Sequence, residues 1–224
     1  MYRQMPASGW GGPEMRCTFK MSSVMLTIAG SELPREESHM DRGRLICEEL
    51  KRAGIRHIAW LPETETHFMN GAMLGDPEIQ VVQVCKEGEA IAICAGLYLA
   101  GMRGAALMEN QGLFESGNVL KWAISLEVPM LILVGVMGYR LHIEQSLAGR
   151  QEGPASPELR LVGAAFDITK PFLEALGISR HHVQSDDDVK KLGLAFDEAL
   201  STRRPVAVLL TSADGYVTGT AEGA

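Results

Sequence analysis

From Asp41 onward, apolar and polar positions fall into blocks whose period switches back and forth along the chain. Over Asp41–Ala53 the apolar residues Leu45, Ile46, Leu50 and Ala53 recur at the spacing of one helical face, and Gly54 follows as a stop. Ile55–Leu61 is a short apolar run closed by Pro62, the mark of a buried strand. Thr66–Leu74 reads as a helix ending before Gly75-Asp76-Pro77. Ile79–Val84 reads as a strand, buried over Val81–Val84, and Glu89–Leu99 as an apolar helix ended by Gly101. Ala105–Met108 is the next strand, Gly117–Leu126 the next helix, and Pro129–Val136 the most strand-like run of all. Gly138–Arg160, with Gly149, Gly153, Pro154 and Pro157, reads as a long surface loop or lid. A helix at Phe166–Leu176 stopped by Gly177, a strand at His181–Gln184, a helix at Asp186–Leu200 with three acids in its first turn, and a strand at Pro205–Leu210 complete the pattern.

Strands alternating with helices build βα units. The prediction is an α/β fold, a doubly wound, mainly parallel sheet of about six strands with helices on both faces and right-handed crossovers. The 224 residues suit one sizeable core. Residues 1–38 are rich in Gly, Ser, Pro and Met, show no periodicity, and are expected to be a flexible extension. Residues 39–212 hold the domain, and 213–224 form a tail rich in Gly and Thr. Gly9, Gly11 and Gly12 follow no strand and make no dinucleotide fingerprint.

Composition narrows the function by exclusion. A net charge of -7 argues against a nucleic-acid partner, which would need clustered Lys and Arg. The apolar run Val24–Ala29 is too short for a signal-peptide core or a membrane span, so a cytoplasmic protein without membrane contact is expected. Cys17, Cys47, Cys85 and Cys94 form no C-x-x-C pair; Cys85 and Cys94 lie in apolar runs and are expected to be buried, reduced thiols. P-loop, nucleophile-elbow and zincin motifs are missing, Asp186-Asp187-Asp188 reads as a solvated helix start, and no metal ligands are expected on this chain.

The most site-like stretch is Val81–Gly117. One strand runs into Glu87, and the next runs into the polar turn Glu109-Asn110-Gln111-Gly112. In a parallel sheet such strand-to-helix turns are where ligands bind. Caught between burial and a helix N-terminus, a carboxyl such as Glu87 can share a proton with a ring nitrogen; the plainer reading makes Glu87 and Glu89 first-turn acids. Asn110 and Gln111 either meet a ligand or cap the following helix, and Glu115 and Asn118 share these two readings. Thr64 and His67 either face the same cleft or belong to turn chemistry. His142 and Gln145 reach a substrate from the lid or lie in a solvated loop, and His181 and His182 read as structural.

The run CKEGEAIAICAGLYLAG, followed by ALMENQGLFESGNVLKWAISLEVPMLILVG, resembles the pyrimidine-binding (Pyr) domain of thiamine-diphosphate (ThDP) enzymes. The nearest group is the sulfopyruvate and phosphonopyruvate decarboxylases, and the resemblance spans Asp41 to Ser212. Gly96 and Tyr98 match that group's G-x-Y and so set the register on Glu87 rather than Glu89. The resemblance implies that Glu87 hydrogen-bonds N1′ of the aminopyrimidine; Asn110, Gln111 and Gly112 are expected at the cofactor, and Thr64, His67, His142 and Gln145, by their place in the chain, toward the substrate. It implies decarboxylation of a small 2-oxo acid, with ThDP as electron sink. Glu109, Gln111, Phe114 and Glu115 stand where that group has Gln, Ser, Gly and Asn, and Arg140 and Arg150 are the lid cations an anionic substrate would want.

The group's Gly-Asp-Gly…Asn-Asn signature for diphosphate and Mg²⁺ is not matched, Ala213-Asp214-Gly215 being the nearest imitation. The resemblance therefore implies a split enzyme in which this chain is the alpha-type subunit. A beta-type partner would carry the diphosphate-binding (PP) domain and the Mg²⁺ ligands, in a hetero-oligomer that also self-associates. The alternatives are a ThDP carboligase subunit and a non-catalytic regulatory or scaffold subunit of the same fold.

Overall fold

A computed structural model describes residues 36–139 and 157–210, and the side chains of 42–139 and 160–210. Arg140, His142, Gln145 and Arg150 of the expected lid lie outside the described residues, as do most of the extension, the tail and Cys17. Six strands form one sheet: β1 (His57–Trp60), β2 (Gln80–Gln83), β3 (Gly104–Glu109), β4 (Met130–Gly135), β5 (Ser179–Val183) and β6 (Pro205–Leu210). Every pairing is parallel and the order is β2-β1-β3-β4-β6-β5.

Strands covered on both faces need apolar residues at every position. That requirement accounts for the unbroken runs of β4 and β6, and all six residues of β4 are buried. The helices divide between the two faces. On one, α1 (Glu36–Arg52), α2 (Asn70–Gly75) and α7 (Lys191–Thr202) bring Ile46, Leu50, Met73, Leu192 and Phe196 against Ile58, Leu107, Leu133 and Val208. On the other, α3 (Glu87–Leu99), α4 (Asn110–Glu115), α5 (Gly117–Ser125) and α6 (Pro157–Ala175) bring Ile91, Leu113, Leu120 and Leu173 against Ala59, Ala106, Ile132 and Ala207. Residues that alternate along each strand thus feed two separate cores, as a doubly wound sheet requires. Gly54 (φ +76) and Gly177 (φ +62) stop α1 and α6 in the left-handed conformation that glycine adopts without strain.

Several expectations need correction. The strand expected to be buried over Val81–Val84 is the edge strand β2: Val82 is 38% exposed, Gln83 is exposed, and only Val84, just past it, is buried. An edge strand has one neighbour, here β1, so its valines mark β-propensity rather than depth. Cys85 follows this edge and is exposed, while Cys47 and Cys94 are buried with thiols pushed up to about 12, chiefly by burial. Thr66–Leu74 splits into a 3₁₀ turn (His67–Met69) and α2. The polar turn after β3 is itself the short helix α4. α6 starts at Pro157, inside the expected lid, because proline at the first helical position is a start and not a break. The three acids expected to open a long helix form a separate 3₁₀ turn, Asp186–Asp188, with Asp188 accepting from Gln184 N (3.0 Å) and pairing with Lys191 (2.6 Å). Among the described residues, no helix is long and apolar enough to cross a membrane.

Candidate functional site

Because all six strands run the same way, their carboxyl ends share one edge of the sheet. Glu63 follows β1, Glu87 follows β2, Glu109 ends β3 and Met137 follows β4. The turn into α3 distinguishes its two acids. The Glu89 carboxylate accepts from the backbone N–H groups of Cys85 (2.9 Å) and Lys86 (3.2 Å), so it is spent on capping its own helix. Glu87 instead reaches across to α4 and lies on Gly112. A Cβ at Gly112 would stand 2.5 Å from Glu87 Cδ and Oε1 and would also strike Cγ. The two turns are bridged at the surface by Lys86 and Glu115, 2.6 Å apart, and this pair raises the lysine pKa.

The other expected ligands are placed differently. Asn110 is 0% exposed and faces α6, not Glu87. Its amide nitrogen donates among Met137 O (3.2 Å), Ala165 O (3.1 Å) and Thr169 Oγ1 (3.0 Å), and its buried Oδ1 meets no donor among the described residues. The amide therefore clamps α4 to α6. Asn110→Asp, which turns an acceptor toward two carbonyls, should cost on the order of 3 kcal/mol in urea unfolding, against about 1 for Thr169→Val. Gln111 is exposed, with Nε2 3.2 Å from Met137 Sδ. Thr64 and His67 are both exposed on the segment between β1 and α2. On the far edge strand β5, His181 Nε2 lies 2.7 Å from Glu198, and His182 packs edge-on to Tyr139 (5.3 Å) with its pKa lowered, first by burial.

Two carboxyls join this edge, Glu63, which did not stand out in the sequence, and Glu109, which stood out only as part of the polar turn and as a departure from the resembled group. Glu63 accepts from Thr66 N (3.0 Å), from Thr66 Oγ1 and from Glu65 N, and Thr66 Oγ1 accepts in turn from Trp60 Nε1 (3.1 Å). Burial pushes the Glu63 pKa up, these donors pull it back, and Glu109 pushes it up again. Burial, and then the Glu87 charge, push Glu109 up as well. In both cases the folded pKa lies above the ordinary carboxylate value. The two acids therefore weaken the fold as pH rises from that value through the raised one. The only cue in the sequence was Glu63 and Thr66 three apart after a strand-ending proline. No three His, Cys, Asp or Glu side chains among the described residues are arranged to hold a metal ion.

Comparison with known proteins bears directly on this edge. Residues 40–149 match the family described as thiamine pyrophosphate enzyme, N-terminal TPP binding domain. The chain is 24% identical over 173 residues to the sulfopyruvate decarboxylase subunit alpha of Methanococcus maripaludis, covering 76% of this chain and 95% of that one. It is 28% identical over 174 residues to the same subunit of Methanothermobacter thermautotrophicus, covering 76% and 96%. Over 104 residues, 45% of this chain and 26% of the other, it is 28% identical to a phosphonopyruvate decarboxylase of Streptomyces viridochromogenes. The resemblance carried by the Glu87 and Asn110 turns is therefore real, and the all-parallel six-stranded sheet agrees with it.

Proposed function

Starting from a chain whose residues 40–149 match a thiamine-pyrophosphate-binding domain, we propose that it is the Pyr-type, alpha-type subunit of a split ThDP-dependent decarboxylase of a 2-oxo acid. In this reading residues 39–212 form the Pyr domain of a cytoplasmic hetero-oligomer. A beta-type partner holds the diphosphate and its Mg²⁺. The observation that carries it is Glu87 laid on Gly112: a carboxyl at a strand end, released from capping by Glu89 and seated where a Cβ would evict it. A cradle of that shape fits a flat ring docked by one proton-sharing carboxyl. The relatives named as alpha subunits, matched over nearly their whole length, support the split arrangement. Leu99, Trp122 and Leu126, left 80%, 56% and 65% exposed on α3, on α5 and just past α5, are the kind of surface a subunit contact covers.

When bound, ThDP supplies the electron sink for loss of CO₂. This chain supplies the rest of its half-site. Glu87 holds a proton against ring atom N1′, and Gly112 leaves room for it to do so. The Asn110 clamp fixes α4, while Gln111, Thr64 and His67 face the approach of the substrate.

Calorimetry with ThDP and Mg²⁺ tests this, on the chain alone and mixed with a candidate partner carrying the diphosphate half. Binding confined to the mixture, with CO₂ released from a 2-oxo acid, is the expected result. Product that increases with an added acceptor aldehyde or 2-oxo acid would favour the carboligase, and no binding in either sample would leave a scaffold subunit.

A further inference from the structure

Three neighbouring strands, β2, β1 and β3, each deliver a carboxyl to the edge where Glu87 lies. One of them is held by the protein's own donors. Glu63 is fixed by Thr66 and Glu65, and its Oε1 lies 3.3 Å from where a Cβ of Gly135 would stand; Gly135 is the register partner of Glu109 on β4. Glu87 lies over Gly112. The third, Glu109, is half-buried, and neither a hydrogen-bond donor nor a cation among the described residues meets its carboxyl. Lys86, next to Glu87 in sequence, is taken by Glu115 at 2.6 Å. The three acids are not spaced as a metal site.

We propose that Glu109 is a specificity-determining residue of this site, selecting 2-oxo acids whose far end is uncharged or cationic over those whose far end is a sulfonate or phosphonate. The proposal rests on the ThDP half-site reading above, and it names the substrate class of that same site. Every 2-oxo acid brings one carboxylate, so that charge cancels in any comparison between substrates. A second anionic group must approach an edge that already carries three carboxyls, one of which, Glu63, is held in place by three donors. Partial burial weakens the screening that open solvent would give, and like charges brought together there are strongly disfavoured. Selection by repulsion is how a site rejects a near-isosteric competitor. Burial, and then the Glu87 charge, hold the Glu109 pKa above the ordinary carboxylate value, so the repulsion acts at a pH where that carboxyl is ionised.

The test uses the assembled enzyme, this chain with its diphosphate-binding partner, ThDP and Mg²⁺, and compares kcat/KM for sulfopyruvate and 2-oxobutanoate at pH 7. The wild-type enzyme should favour 2-oxobutanoate. Glu109→Gln should raise the sulfopyruvate to 2-oxobutanoate ratio by about tenfold or more, and Glu109→Asp, which keeps the charge, should hold it within about threefold. A wild-type preference for sulfopyruvate, or a ratio unmoved in Glu109→Gln, overturns the role of Glu109 and leaves the cofactor reading intact. An assembly that binds no ThDP overturns the cofactor reading, and this proposal with it.

Discussion

Glu87→Gln should lower kcat of the assembled enzyme by about 10³-fold, within the 10²–10⁴ range typical of one positioned proton-transfer group, while ThDP still binds. Gln has the same length and can still reach a ring nitrogen. It cannot exchange a proton with that nitrogen. Nothing in the fold depends on the charge: Glu89 caps α3, and Lys86 pairs with Glu115 instead. The cleanest measurement is deuterium exchange at C2 of bound ThDP, followed by NMR in the assembled enzyme. Exchange at the wild-type rate in Glu87→Gln would remove Glu87 from the reaction, whatever its seat on Gly112.

Gly112→Ala should lower kcat by about 10²-fold although Glu87 itself is unchanged. The atoms in the way of a new Cβ are Cγ, Cδ and Oε1 of Glu87, all in a flexible side chain. The chain can accommodate the methyl by turning Glu87 outward, so unfolding in urea should shift by no more than about 1 kcal/mol. The reaction cannot be so accommodated, because displacement of about 1 Å at a reacting group costs on the order of 10²-fold. Glycine here is a positioning residue, and the readout that a merely structural role would not move is coupling. Glu87→Gln combined with Gly112→Ala should be little slower than Glu87→Gln alone, because the displaced group has already been disabled. Losses that multiply would separate the two residues.

How much of this was legible depended on whether a feature was local. β4 and β6 were read within a residue of their ends, since a strand buried on both faces leaves an unbroken apolar run. β2 carries the same kind of run, yet lies at the rim; a short row of valines is silent about how many neighbours a strand will have. Glu87 stood out because strand, acid and helix follow one another directly. That Glu89 would cap the helix, and so free Glu87, is a matter of side-chain direction. For Asn110 the turn was legible, but the amide points to α6, fifty-five residues on in the chain. Glu63 and Glu109 were invisible as partners because their proximity depends on β1 and β3 lying side by side, which only the strand order reveals.

The strand order also fixes when the sheet can be finished. β5 touches only β6, and β6 slots between β5 and β4, so the penultimate strand has no partner until the last one arrives. On the ribosome, β1 to β4 can pair as they emerge, whereas Ser179–Val183 must wait for Pro205–Leu210 to clear the exit tunnel. A chain cut before Pro205 therefore loses two strands rather than one, along with the wall against which α7 packs. Among the described strands β6 is the last made, and until it arrives the sheet presents a bare β4 edge, the kind of unpaired edge that invites wrong pairing.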